Sequence, residues 1–304
     1  VDDGSTDNSL SVIKKYGDKI KWVHHENVGP SASRNQGFQM SKGKYIQFID
    51  ADDYISSTKI SEQVDFLEIS GKDIVYSDWC RQIYNVDNTV NSSHYITHQT
   101  NEDIEDMIYY ILKNNTIHCG SCLCKREAIE KISGFDETLR IAEDYDFFVR
   151  LAFSGARFSY MEGCHYFYRV YNSITASHGQ GIKYPNSVKY ALDKMSLYLV
   201  EHGLLTHKYC HAMAYKYFIV AKMYLALGDF KESNLCYEIS NNLLGKQKIR
   251  FDENTKFDKL YNLLGWKITS AIIYPLYAFK ISINKVKSLV YIVLPIVKAR
   301  KYKS

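Results

Sequence analysis

A short apolar run, Tyr45-Ile46-Gln47-Phe48-Ile49, ends in the carboxylates Asp50, Asp52 and Asp53. Aromatic and β-branched residues following Gly43 predict a buried strand over 45–49. The acids then fall at the carboxyl end of that strand, which is where open α/β sheets hold their ligands. Three like charges at one strand end repel each other unless something positive lies among them. A hard divalent cation with oxygen ligands is the usual counter-charge. The same residues also read as a solvated acidic turn capping a helix that starts near Ser56 or Ser57.

The surrounding chain alternates strand and helix. Asp2-Asp3-Gly4-Ser5 stands at a strand end, and a helix follows through Leu10, Val12, Ile13 and Tyr16. A strand over 20–24, a loop over 27–30 and a helix through Phe38 and Met40 come next. This order predicts an α/β fold, a Rossmann-like and mainly parallel sheet flanked by helices. Further on, the pattern predicts a helix over 57–70 with Ile60, Val64, Phe66, Leu67 and Ile69 as its apolar positions. It then predicts a strand over 73–78, a hairpin or long loop over 80–100, a helix over 103–113 and a strand over 118–125. A short helix over 126–132 follows, then a helix opened by Glu143-Asp144-Tyr145-Asp146 and a last strand over 160–170. From about Tyr184 the pattern is continuous helix, so the chain divides into residues 1–180 and a helical region, 181–304. Within the latter, residues 225–239 resemble one tetratricopeptide-type hairpin. The unit does not recur, and it reads as a packed helical pair.

Composition narrows the partners. The 304 residues are 46% apolar and 24% charged, as in ordinary globular proteins. From Lys259 onward there are nine Lys or Arg and no acid, so with a net charge of +4 the rest of the chain carries −5. Basic residues lie away from the acidic motifs, which argues against a nucleic-acid partner. The tail suits peripheral contact with an anionic membrane surface. Its longest uncharged run, 268–279, is short of the ~20 apolar residues a span needs. The run reads as an interfacial helix or as one packed on the body. Cys119, Cys122 and Cys124 cluster beside His118, but no second Cys/His pair completes a zinc site. Reduced thiols of a cytosolic protein are the simpler reading.

Four motifs now stand in order: Asp2-Asp3-Gly4-Ser5; Asn27-Val28-Gly29-Pro30-Ser31-Ala32-Ser33-Arg34-Asn35 before Asp50-Ala51-Asp52-Asp53; Gly134-Phe135-Asp136-Glu137; and Glu143-Asp144. Together they resemble the family-two glycosyltransferases of GT-A fold, over residues 1 to 177. The resemblance implies inverting transfer of a sugar from a nucleotide-sugar donor, usually a UDP-sugar, to a saccharide or lipid-linked acceptor. It implies a divalent metal, Mn²⁺ or Mg²⁺, on Asp52, with Asp50 facing the ribose or the metal and Asp53 a further ligand or a helix cap. It makes Asp144 the base that takes the acceptor proton, with Glu143 orienting the acceptor or Asp144 and Asp146 a lesser substitute. Asp3 would accept the uracil N3–H, with Asp2 as a second candidate. Arg34 would lie near the base or the phosphates, or pair with Asp2 or Asp50. Members often carry Arg-x-His near the end of this region. Here Arg169-Val170-Tyr171 lacks the histidine, so Arg169 would reach the diphosphate, and His165 or His178 would stand in as third metal ligand.

The family's first strand and helix precede Asp-Asp-Gly-Ser, whereas this sequence begins with Val1-Asp2-Asp3. The expectation is a chain lacking those elements, poorly soluble or inactive by itself. Catalysis would occur at the inner face of the cell membrane, in polysaccharide or glycan synthesis. Two other readings remain: a non-catalytic sugar-nucleotide-binding or scaffolding protein, and a nucleotidyltransferase. The latter would normally show a Gly-rich basic phosphate loop, which is not found.

Overall fold

Ile74, Val75 and Tyr76 are almost completely buried, and they begin the strand around which the sheet is built. The computed structural model describes residues 1–85, 89–95, 106–114, 117–171, 181–245, 261–262, 265–267 and 269–271. In chain order the elements open with β1 (Asp2–Asp3), α1 (Ser9–Lys14), β2 (His24–His25), α2 (Pro30–Met40), β3 (Tyr45–Ile46) and β4 (Tyr54–Ile55). They continue with α3 (Lys59–Ser70), β5 (Ile74–Tyr84), β6 (Val90–Tyr95), α4 (Met107–Asn114), β7 (Cys122–Lys125) and α5 (Arg126–Lys131). Last come α6 (Glu143–Phe153), β8 (Phe158–Val170), α7 (Lys183–Glu201), α8 (His207–Ala226) and α9 (Phe230–Leu244).

The main sheet runs β3-β7-β5-β8-β4, with β6 completing a hairpin on β5. It is mixed rather than mainly parallel: among the described residues of this sheet β5 and β8 run parallel, while β3–β7, β5–β7 and β4–β8 are antiparallel. Local periodicity sets which residues are strand, not which way a strand runs. A separate parallel pair joins β1 to β2 at Asp2↔His24 and Asp3↔His25. The strand expected over 20–24 therefore reduces to its end, and Ile20 and Trp22 are exposed.

Two further expectations change. Only Tyr45 and Ile46 pair with β7, and Ile49 is 44% exposed, so residues 47–50 lie outside the ladder. In α3 the buried positions are Lys59, Gln63 and Leu67, spaced i, i+4, i+8, while Ile69 is 87% exposed. This helix packs over the 3-10 turn Cys119–Ser121 and the start of β7, where free carbonyls need donors. Lys59 Nζ donates to Gln47 Oε1, Gln63 Oε1 (2.6 Å) and Cys122 O (3.2 Å). With neutral acceptors only, burial pushes the Lys59 ammonium down to about 8.

The chain forms two compact units, Val1–Ala212 and Met213–Ser304. The first extends past residue 180 because α7 packs on α6: Tyr198 lies 4.2 Å from Phe153, and Lys194 reaches Asp146 at 2.8 Å. In the second unit Asp229 caps α9 by accepting from Glu232 N at 3.0 Å. Ser233 and Ser240 donate to carbonyls of Ala221 and Ala214, both at 2.7 Å, and Trp266 stacks on Tyr237 at 4.7 Å. Among the described residues no helix is long and apolar enough to cross a membrane. Most of the basic tail and His178 lie outside the described residues.

Candidate active site

One guanidinium joins the two acidic motifs. Arg34 Nη2 meets Asp50 Oδ1 at 2.7 Å and Nη1 meets Glu143 Oε1 at 2.8 Å, with the charge 5.3 Å over the Phe135 ring. Three elements must be held for this to form. Phe48, just before Asp50, packs edge-on to Phe135 (5.0 Å) and Phe147 (5.9 Å), and Phe135 stacks on Phe147 at 4.0 Å. Asn35, beside Arg34, is buried. Its amide donates to Phe135 O and Glu137 Oε1, both at 2.9 Å, and its oxygen accepts from Phe135 N at 2.8 Å. Gly134 has φ +76°, and a Cβ there would sit 2.4 Å from Asn35 Oδ1, so the position needs glycine. Ala142 takes the left-handed conformation (φ 61°) immediately before Glu143, a strained backbone at the mouth of the site.

A cavity of about 250 Å³ opens at this bridge, with Arg34, Asp50, His118, Asp144, Tyr166 and Tyr184 among its walls. Burial raises the Glu143 carboxyl, as does the Asp144 charge, and Arg34 opposes both. Asp144 is likewise raised by burial against the pull of Arg34, and its Oδ1 accepts from Tyr145 N at 2.8 Å. An acid with a raised pKa in a cavity is a candidate proton acceptor near neutral pH. Asp52, by contrast, is exposed, and its carboxylate has no partner among the described residues.

Several expected residues are engaged elsewhere. Asp53 is 8% exposed; its carboxylate accepts from Tyr166 Oη and from Arg169 N (2.8 Å). It is neither an open metal ligand nor a helix cap, since Thr58 precedes α3. Burial raises it to about 6, the Tyr166 and Arg169 hydrogen bonds acting against that. Asp2 is 4% exposed and accepts from Ser5 N (3.2 Å), with His24 Nδ1 2.8 Å from its other oxygen, so it faces inward. Asp3 accepts from Val28 N (2.8 Å) and Gly29 N (3.0 Å), which leaves each oxygen a further lone pair. Asp146 pairs with Arg150 (2.7 Å) and Lys194 (2.8 Å), so it does not substitute for Asp144. Arg169 donates from Nε to Asp52 O, binding the acidic turn itself. His165 turns to Ser56 Oγ (3.2 Å) and Glu62 (3.5 Å), on the strand face opposite Tyr166. Among the described residues no group of three or more His, Cys, Asp or Glu converges as a metal site, the Cys119–Cys124 cluster included.

Sequence reasoning missed His118, Tyr166 and Tyr184 as cavity walls. His118 was masked by the neighbouring cysteines, and Tyr184 comes from a helix that no motif covers. Gly120 carried a usable signal: a Cβ there would lie 2.1 Å from the Tyr166 ring, so only glycine lets that tyrosine close over the turn.

A mixed sheet with helices on its faces and paired acids at one end defines an α/β fold with a candidate site at that end. Residues 1–133 match the model of glycosyl transferase family 2. It is 28% identical over 181 residues to the minor teichoic acid biosynthesis protein GgaB of Bacillus subtilis, covering 56% of this chain and 19% of that protein. It is 30% identical over 150 residues to an uncharacterized glycosyltransferase of Rickettsia prowazekii, covering 48% of this chain and 46% of the other. The chain thus spans less than half the length of these curated relatives. A crystal structure of S. aureus TarS 1–349 in complex with UDP-GlcNAc superposes with TM-score 0.51 at 15% identity, covering 83% of this chain and 84% of that one. The likeness supports the GT-A fold with a helical C-terminal region.

Proposed function

We propose that the chain transfers a sugar, with inversion, from a UDP-sugar to a saccharide or lipid-linked acceptor in cell-surface glycan synthesis. The observation that carries this reading is the Arg34 bridge, which joins the acidic strand end to the Glu143-Asp144 helix start beside one cavity. Inverting transfer needs a base on the acceptor side and charge compensation on the leaving-group side, a short distance apart.

Asp144 takes the proton of the attacking hydroxyl. Its enclosure and raised pKa suit that task, and Glu143, fixed by Arg34, limits its motion. Asp3 keeps acceptor capacity for a base N–H, and Arg34 and Arg169 flank the acidic turn with positive charge. Asp52 and Asp50 fit a Mn²⁺ or Mg²⁺ ion, because such ions are commonly held by one or two carboxylates plus substrate phosphates and water. That ion would neutralise the departing diphosphate. TarS in complex with UDP-GlcNAc supports the UDP-sugar class, and the name of GgaB supports a surface-glycan acceptor. Action at the cytoplasmic membrane face rests on the basic tail alone.

The test is UDP release by the purified protein over a panel of UDP-sugars, with and without Mn²⁺. Mn²⁺-dependent release that disappears in Asp52→Ala supports transfer. No UDP release and no metal-dependent UDP binding would leave the scaffolding reading in place.

A further inference from the structure

The aromatic end of the cavity beside Asp144 has no part in the reading above. We propose that His118, framed by Trp79, Tyr166 and Tyr168, binds the acceptor saccharide by hydrogen-bonding a ring hydroxyl. This rests on the glycosyl-transfer reading of the same site.

The imidazole is available and enclosed. No described residue hydrogen-bonds its ring nitrogens. The Trp79 ring lies 4.3 Å away, Tyr168 at 5.8 Å and Tyr166 at 6.1 Å. The turn that presents it is tied at five successive carbonyls. His118 O accepts from Ser121 N (3.0 Å) and Ser121 Oγ (2.8 Å). Cys119 O and Gly120 O accept from Gln47 Nε2 (3.2 and 3.3 Å), Ser121 O from Gln63 Nε2 (3.0 Å), and Cys122 O from Lys59 Nζ (3.2 Å). A buried ammonium and two buried or half-buried amides are a costly way to secure a plain connection. They are what a pre-organised binding group requires.

Position decides which substrate this group meets. The cavity starts at Arg34 and Asp50 and its walls include Glu143 and Asp144 but not Asp3, Asp52 or Arg169, so it extends from the bridge on the proton-accepting side. Chemistry decides the class. Aromatic faces and an imidazole that both donates and accepts match an uncharged polyhydroxylated ring. Burial pushes His118 down to about 4, so at neutral pH it offers no positive charge to a phosphate.

The experiment uses protein labelled at the histidine rings, titrated in the presence of UDP with methyl glycosides of glucose, galactose and N-acetylglucosamine, and with glycerol 3-phosphate. His118→Gln, which keeps a donor and an acceptor, identifies the His118 signal. The expected result is that this signal moves with at least one glycoside and not with glycerol 3-phosphate. In His118→Phe, saccharide affinity falls about tenfold or more, as for one lost hydrogen bond in a closed site, while UDP affinity stays within about twofold. His118→Gln retains more of the saccharide affinity than His118→Phe. A His118 signal unmoved by every glycoside, or moved by glycerol 3-phosphate alone, overturns the proposal, as does equal loss of UDP and saccharide binding in both variants. The signal is read in the wild-type protein, so the proposal is decided even if His118→Phe does not fold. Wild-type protein that binds saccharide at His118 but neither binds nor releases UDP would instead refute the transfer reading and leave the subsite standing.

Discussion

The turn at residues 50–53 and the helix start at 143–146 have the same composition, three acids in four residues, and the fold treats them alike in one respect. The last acid of each set is removed from the site. Asp53 is 8% exposed and bound to β8, and Asp146 is 4% exposed and bound to Arg150 and Lys194. The remaining pairs differ. Asp52 faces solvent, and Asp50, half-exposed at the cavity rim, is held by Arg34; both are open enough to meet a cation and phosphates. Glu143 and Asp144 line a cavity, where burial favours the protonated form and prepares a proton acceptor. Similar triplets thus acquire different chemistry from enclosure.

That contrast breaks most sharply at Asp144. Asp144→Asn preserves shape but removes the base, and acceptor-dependent turnover is expected to fall about 10²–10⁴-fold. UDP affinity and melting temperature should hold, as read by titration and thermal unfolding. A variant with near wild-type turnover would move the base elsewhere. At the open triplet, Asp52→Asn should lower turnover about 10²-fold and raise the Mn²⁺ concentration needed for half-activity. Saturating Mn²⁺ should recover part of the loss, whereas it recovers none in Asp144→Asn. Equal metal response in the two variants would erase the proposed division of labour.

The limits of the sequence reading follow the same line. The placing of Asp50 and Asp144 at one cavity was legible because their motifs couple acids to the chain after a strand and to a helix start. The structural duty of Asp53 and Asp146 was not, because it depends on Tyr166, Arg169 and Lys194, which lie 113, 116 and 48 residues away. In α3 the apolar positions Ile60, Val64, Phe66, Leu67 and Ile69 include one fully buried residue, Leu67, while Ile60 and Ile69 are exposed. The fully buried positions are Lys59, Gln63 and Leu67, since the carbonyls of residues 121 and 122 require donors. Strand direction escaped for a similar reason: β7 pairs antiparallel to both β3 and β5, a fact of connection rather than of composition.

If the third acid of each triplet is structural, its loss should register in stability. Asp146→Asn leaves Arg150 and Lys194 without their shared buried carboxylate, and unfolding free energy is expected to fall by about 3 kcal/mol. A smaller change is expected for Lys194→Met, about 1–2 kcal/mol at neutral pH. Its pH dependence is the sharper observation. Asp136 is held down to about 2: burial would raise it, but the hydrogen bonds from Lys194 and Thr138 prevail. A carboxyl lowered by folding adds stability above its unfolded pKa of 3.8 and loses it as pH falls through the folded value. Lys194 itself is raised, its bonds to Asp136 and Asp146 outweighing burial, so its contribution persists to at least pH 10.5. The gap between wild type and Lys194→Met should therefore be flat from about pH 4 upward through neutrality and close between about pH 4 and pH 2. Urea unfolding at stepped pH measures it. A gap that stays constant to pH 2 would mean that Lys194 stabilises α7 by packing its aliphatic stem, not by holding Asp136 and Asp146.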